Sequence, residues 1–216
     1  MYTAGMDAQE RSRLSGRQAE AARNDARILE AARAVFTSDP EAPIAAVAER
    51  AGVGISALYR RYRSKEELLQ QLSLDGLRRY IVEVEAALAD DGDPLQAFAA
   101  FMRRALDADT HSLTLHLAGT FTPTEAHWRE GEEAAQLTAR LLERTKEHGA
   151  LRPDFDVGDI SLVFEQLAAI NVGDAARSNQ LRHRYLALML IALRESASPL
   201  PGPPPAWEEI RSRWAR

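Results

Sequence analysis

"GVGISALYRRYRSKEELL", residues 52–69, decides how the chain is read. From Arg50 to Lys65 there are five cations (Arg50, Arg60, Arg61, Arg63 and Lys65) and no acid, although the 216-residue chain carries a formal net charge of −5. Tyr59 and Tyr62 stand among the cations. The stretch opens on a glycine pair around Val53, which reads as a turn. It closes on Ser64, a good N-cap, with Glu67 three residues later completing a capping box. Glu66 and Glu67 also complement the positive end of the helix that starts there. A short helix beginning near Ile55 therefore sits between a glycine turn and a strongly capped helix start.

Upstream, Ile28, Ala31, Ala32, Val35 and Phe36 fall at the spacing of one helix face, and "SDPEAP" at 38–43 ends that helix. Ile44, Val47 and Ala48 give a second short helix an inward face. Two short helices joined by a glycine-containing turn are a helix-turn-helix. Downstream, the capped helix runs to about Asp91 on Leu77, Tyr80, Ile81, Val84 and Leu88. Further helices are predicted over 94–109, 112–118, 124–148, 157–174 and 178–196, the last apolar on nearly all sides from Leu186 to Leu193. "SPLPGPPP" at 198–205 is a proline-rich linker. The segment after it adds one or two helical turns carrying Trp207 and Trp214. No strand pattern of useful length and no repeat occurs. The fold class is all-α: a flexible arm at 1–22, a three-helix helix-turn-helix domain at 23–70, a larger helical domain at 71–197, and a tail at 198–216.

Absence of cysteine excludes disulfides and thiol catalysis. The longest apolar run, "LALMLIAL" at 186–193, is too short to span a bilayer, and the N-terminus lacks the apolar core of a secretory signal. These features predict a cytoplasmic protein that needs no membrane. Residues 1–72 hold eleven cations and ten acids, a net of +1, which leaves −6 for the remainder. Such asymmetry suits two units with different partners. Enzymatic chemistry finds little footing. His111 and His116 are five apart and do not share a helix face as paired metal ligands would. Asp154, Asp156 and Asp159 lack the calcium-loop pattern, and Asp156 reads instead as a helix cap. There is no phosphate loop and no nucleophile elbow. The expectation is a non-enzyme with no cofactor and no metal.

The cationic stretch lies on and after the second helix of the helix-turn-helix, the element that enters a DNA major groove. Acids are missing where phosphates would approach, and the Tyr59 hydroxyl suits a phosphate oxygen. Together, "ILEAARAVF", "VAERAGVGISALYRRYRSKEELL" and an all-helical remainder resemble the TetR family of transcriptional regulators. The resemblance is carried by Ala51-Gly52-Val53, Leu58-Tyr59, Tyr62 and Ser64-Lys65-Glu66-Glu67-Leu68, over about residues 24–72. It implies that Tyr59 and Lys65 bind phosphates and that Ile55, Ser56 and Ala57 face the groove floor. Gly54 departs from the family pattern where Ser or Thr is usual, as does Ser56 where Gly is common. Ala42-Pro43-Ile44 replaces a Ser/Thr cap. Ile55 and Ala57 offer only apolar contact, so base reading by side chains is thin. Arg50, Arg60 and Arg61 are the cations left to compensate, with DNA shape as a further source of specificity. Arg11, Arg13 and Arg17 read as part of a disordered tail, with a minor-groove arm as the alternative.

A module of this size implies a homodimer on double-stranded DNA. Val163, Leu167, Tyr185, Leu186, Met189 and Leu193 are the candidate interface, in a four-helix contact with a second copy, with packing inside one chain as the alternative for some of them. The resemblance further implies a small-molecule effector bound behind the DNA module. The 71–197 domain would then be the effector-binding and dimerisation domain, with Phe98, Phe101, Met102, Leu106, His116, Phe121, Trp128, Phe164 and Asn171 as candidates to line the site and plain core packing as the alternative for each; the mixture favours an apolar or amphipathic molecule. The expected function is a ligand-responsive repressor. The alternative is a small-molecule-binding or scaffold protein that keeps the helix-turn-helix only as a structural cap.

Overall fold

The computed structural model describes residues 8–108, 120–149, 151–194 and 198–212. Every regular element among them is a helix, as the apolar spacing predicts. The chain divides into two compact units, Met1–Leu68 and Leu69–Arg216.

The first unit contains α1 (Ala8–Ser38), α2 (Ile44–Ala51), α3 (Ile55–Arg61) and the opening turn of α4 (Lys65–Leu88). α1 packs on α2, and α2 on α3. Ile28, Ala31, Ala32 and Phe36 bury the predicted face of α1, and Val47, Ala48, Leu58, Tyr62 and Leu68 complete the core. α2 ends where Gly52 turns left-handed at φ 65°, a conformation that glycine adopts without a Cβ penalty. α1 corrects the arm expected at 1–22. It is helical from Ala8, in a stretch rich in the helix formers Ala, Glu, Gln and Arg. Residues 1–7 lie outside the described part.

The second unit continues α4 from Leu69 and adds α5 (Pro94–Asp107), α6 (Glu125–Glu147), α7 (Val157–Ala168), α8 (Ala175–Ala192) and α9 (Trp207–Ser212). One cluster fills its core, with Val84, Phe98, Phe101, Met102, Leu141, Leu142, Phe164, Leu167 and Leu186 among its members. Asp93 caps α5 through Gln96 N–H, with Pro94 at the first helical position. Asp156 caps α7 as predicted, accepting from its neighbour's N–H. The helices expected at 157–174 and 178–196 are shifted. α7 stops at Ala168 and α8 starts at Ala175, because Gly173 at φ 69° and the N-cap Asp174 break the run between them. The helix expected at 112–118 lies outside the described residues.

Polar ties fix this packing. Arg78 on α4 forks onto Glu130 on α6, and the Arg144 guanidinium donates to the Ala87, Leu88 and Asp90 carbonyls at the end of α4. The Tyr80 hydroxyl meets that of Thr138 at 3.0 Å in the interior. Burial pushes the Tyr80 phenol up to about 12, and the Thr138 bond opposes it. The tail is held down. Arg152 forks onto Asp154 and also donates to Ser198 O, while Leu200 N–H donates to Asp154. The Arg152 guanidinium holds the Asp154 carboxyl well below the usual carboxylate range. Pro205 passes so close to Gly158 on α7 that a Cβ there would collide with its carbonyl.

His127, buried in the first turn of α6, closes a further tie. Its Nδ1 accepts from the Thr124 N–H at 3.1 Å, and its Nε2–H donates to Gln70 O at 3.1 Å. Gln70 in turn donates to Thr122 O at 2.9 Å. Nδ1 also lies 2.8 Å from the Thr124 hydroxyl, and both ring nitrogens are satisfied in the neutral form. Burial lowers the His127 pKa below its ordinary value, and Arg78 adds to that, while the Gln70 bond and Glu130 oppose it. A depressed histidine contributes stability that is present above its unfolded pKa, about 6.5, and lost as pH falls through the folded value. Thermal or urea unfolding of the wild type is expected to show this acid-side loss. His127→Phe should lower stability by about 1 kcal/mol at neutral pH, the size of a lost cap, and flatten the profile below about pH 6.5.

Candidate nucleic-acid interface

α3 has seven residues, too few to be stable in isolation. It is held by Leu58, fully buried, and by Tyr62 just past its end, 2 % exposed. At 100° per residue these two fix which side faces outward. Ile55 and Tyr59 are 40 % and 46 % exposed, unusual for large apolar and aromatic side chains, and Ser56 and Arg60 are exposed with them. Ala57 is half-buried, and Arg50, in the last turn of α2, is exposed. Neither α2 nor α3 has a side-chain N-cap: Pro43 and Gly54 stand there. α4 is capped as predicted by Ser64, which accepts from Glu67 N–H at 3.1 Å. Glu67 reaches back to Arg63 N–H at 2.7 Å rather than to Ser64, one residue further than the motif requires.

Two of the cations expected at the DNA, Lys65 and Arg61, already have partners within the chain. Lys65 Nζ donates to Pro40 O at 2.9 Å and lies 5.2 Å from the Phe36 ring centroid, stapling the α1–α2 loop to the start of α4. Arg61 Nε donates to Asp25 Oδ1 on α1 at 2.6 Å, with its guanidinium 5.2 Å from the Tyr62 ring. Arg27, two residues beyond Asp25, donates to Ala51 O at 2.6 Å and so satisfies a carbonyl at the end of α2. A Cβ on Gly52 would sit 3.1 Å from that guanidinium, a second reason for glycine at the turn. Asp25, Arg27 and Pro40 were missed by sequence reasoning. The only available signal was that Asp25 and Arg27 flank the apolar face of α1.

The remaining candidates fall into different surroundings. Phe98, Phe101, Met102, Leu106 and Phe164 come together in the core of the second unit, and Tyr80 meets Phe101 edge-on at 5.3 Å. Phe121 is buried against the His127 ring, and Trp128 is half-buried. Asn171 is exposed in the α7–α8 turn, apart from that core, and His116 lies outside the described residues. The dimer candidates divide between the subunit's own core and its surface. Leu167, Leu186 and Leu193 are buried in the subunit's own core, with Val163 and Met189 packed against it. Tyr185 is 48 % exposed, joined on α8 by Leu188 at 52 % and Ile191 at 65 %. Among the described residues no group of acids and histidines could hold a metal, and no helix is long and apolar enough to cross a membrane.

Residues 28–72 match the family described as bacterial regulatory proteins, tetR family, and residues 93–195 match the C-terminal domain of SbtR-like transcriptional regulators. The chain is 25 % identical over 182 residues to the HTH-type transcriptional repressor LfrR of Mycolicibacterium smegmatis, covering 81 % of this chain and 90 % of that one. Among solved structures, it resembles the TetR transcriptional regulator SCO0520 of Streptomyces coelicolor (TM-score 0.61, 23 % identity, 80 % of this chain and 99 % of that one). It also resembles a TetR transcription regulatory protein of Mycobacterium vanbaalenii (TM-score 0.59, 27 % identity, 82 % and 99 %).

Because Lys65 ties two elements together, its removal acts on folding before it acts on any partner. Lys65→Ala is expected to cost about 2 kcal/mol in urea unfolding without nucleic acid, from a charged hydrogen bond and a cation–ring contact. Arg60→Ala, at an exposed position, should stay within about 0.5 kcal/mol of wild type.

Proposed function

Since this chain belongs to the TetR family of bacterial regulatory proteins, we propose that it is a repressor that binds a two-fold symmetric operator as a homodimer and releases it when a small apolar or amphipathic effector binds. One observation carries the reading: α3 turns Ile55, Ser56, Tyr59 and Arg60 outward, on a stretch with no acid between Arg50 and Lys65. In the major groove, Ile55 would meet a thymine methyl and Ser56 a base edge, while Tyr59, Arg60 and Arg50 take phosphates. Ala57, half-buried, has room for a methyl contact only. Arg61 and Lys65 can reach phosphates with the donors that their internal contacts leave over.

The effector would lie among Phe98, Phe101, Met102, Leu106 and Phe164. These side chains are fully packed, so a molecule that enters must part them. An effector that binds the parted form more tightly shifts the protein towards it. Trp128 and Phe121 stand nearer the surface of the same unit and suit an entry path.

Two measurements test the reading. Genomic fragments selected by the purified protein should bind with an affinity that falls steeply with salt. Tyr59→Phe and Arg60→Ala should weaken binding to all duplexes together, and removing the Arg60 charge should lower the salt slope by about one, whereas Ile55 or Ser56 substitutions should change the preferred sequence. No binding to any duplex at low ionic strength would defeat the proposal. Sedimentation should give a two-subunit particle, and Leu188→Glu with Ile191→Glu should give folded single subunits at micromolar concentration. A wild type that sediments as one subunit removes the dimer from the reading.

A further inference from the structure

We propose that Asp25 is a positioning residue for DNA binding: from α1 it holds the Arg61 guanidinium by its inner nitrogen and leaves the two terminal nitrogens to grip one phosphate. The inference rests on the DNA-binding reading above and adds to it a residue outside the helix-turn-helix stretch.

Arg61 is the last residue of α3, and its side chain is 53 % exposed against 25 % for Asp25. The bond runs through Nε alone, at 2.6 Å, and the terminal nitrogens make no hydrogen bond among the described residues. The Tyr62 ring limits the guanidinium from a second side, 5.2 Å away. Asp25 itself sits on a fixed support, because Arg27 on the same helix is bonded to the last carbonyl of α2. An acid beside a surface that must meet phosphates raises the electrostatic cost of docking. The compensating gain is order: a free arginine loses much of its rotamer freedom when it binds, and one already held loses less.

The test uses the full chain, a duplex recovered by selection with wild-type protein, and a scrambled duplex. Asp25→Ala is expected to bind the selected duplex about three- to ten-fold more weakly, the scale of one side chain's ordering, even though the substitution removes a negative charge. Arg61→Ala should lose at least as much, and the double variant no more than Arg61→Ala. Asp25→Asn keeps an acceptor for Nε and should lose less than Asp25→Ala. Ethylation interference supplies the readout that a general structural role would not move: one phosphate per half-site should stop mattering in both Asp25→Ala and Arg61→Ala. Urea unfolding identifies any variant that has lost its fold; if Asp25→Ala has, Asp25→Leu, close in size and without an acceptor, carries the test. Tighter or unchanged binding by folded Asp25→Ala or Asp25→Leu overturns the inference, as does a loss in Asp25→Asn as large as in Asp25→Ala, or weakening spread evenly over all phosphates. If wild type selects no duplex, the DNA-binding reading itself fails; if it does and the Asp25 variants match it, only the role of Asp25 falls.

Discussion

Leu58 and Tyr62, buried beneath a seven-residue helix, are the contacts on which the presentation of α3 depends. A helix this short gains too few internal hydrogen bonds to offset the entropy of nucleation. Burying a leucine and a tyrosine supplies several kcal/mol in its place. The left-handed turn at Gly52 brings Leu58 to the core in register, and the Ser64 cap starts the next helix four residues after α3 has gone outward at Arg60. With both ends fixed and one side buried, the opposite side has no freedom to hide Ile55 or Tyr59. Exposure of those two side chains follows from how Leu58 is held.

The five cations between Arg50 and Lys65 look alike in sequence but divide by surroundings. Lys65 commits its ammonium to the Pro40 carbonyl and the Phe36 ring, so it is first a staple and second a source of positive potential. Arg61 is shared with Asp25, while Arg50, Arg60 and Arg63 stand exposed. The division matters for reading substitutions. A change at a shared cation mixes stability with affinity, and a change at an exposed one isolates the field that phosphates meet. α1 brings the polar groups that make the division, Asp25 and Arg27, on the flanks of the face that Ile28 and Phe36 bury.

The helix-turn-helix was legible because its signals are local. Apolar spacing, a glycine turn and a capping box each act within a few residues, and residues 44–68 fold as those signals require. The beginning of α1 was not legible, since a polar stretch with high helix propensity and no apolar face reads as a tail. The break between α7 and α8 was hidden by Ile170 and Val172, which prolong the apolar pattern, although Gly173 and Asp174 carry the stop and the cap. Which side of α8 faces its own subunit could not be read at all. Leu186, Leu188, Leu190 and Ile191 are equivalent in a helix apolar all round, and only the packed core separates the buried Leu186 and Leu190 from the exposed Leu188 and Ile191. The ties of Asp25 to Arg61 and of His127 to Gln70 span 36 and 57 residues. No local pattern encodes contacts of that range.

That separation on α8 gives the second unit its logic. Its core is complete without Tyr185, Leu188 and Ile191, because α4 to α8 already close around Phe98, Phe101 and Phe164. Three large apolar side chains left on one helix therefore add nothing to the subunit's own packing and expose surface that water disfavours. The interior, by contrast, holds a buried polar pair, Tyr80 with Thr138, and Arg78 ties α4 to Glu130 on α6 from the surface side. A molecule that enters among the aromatic side chains has to work against those pairs, and each buried polar group it strands costs about 1–3 kcal/mol. The proposed effector would therefore have to make good what it displaces, with apolar bulk against the phenylalanines and a polar atom for the Tyr80 hydroxyl. An amphipathic molecule meets that requirement, and a wholly apolar one meets half of it.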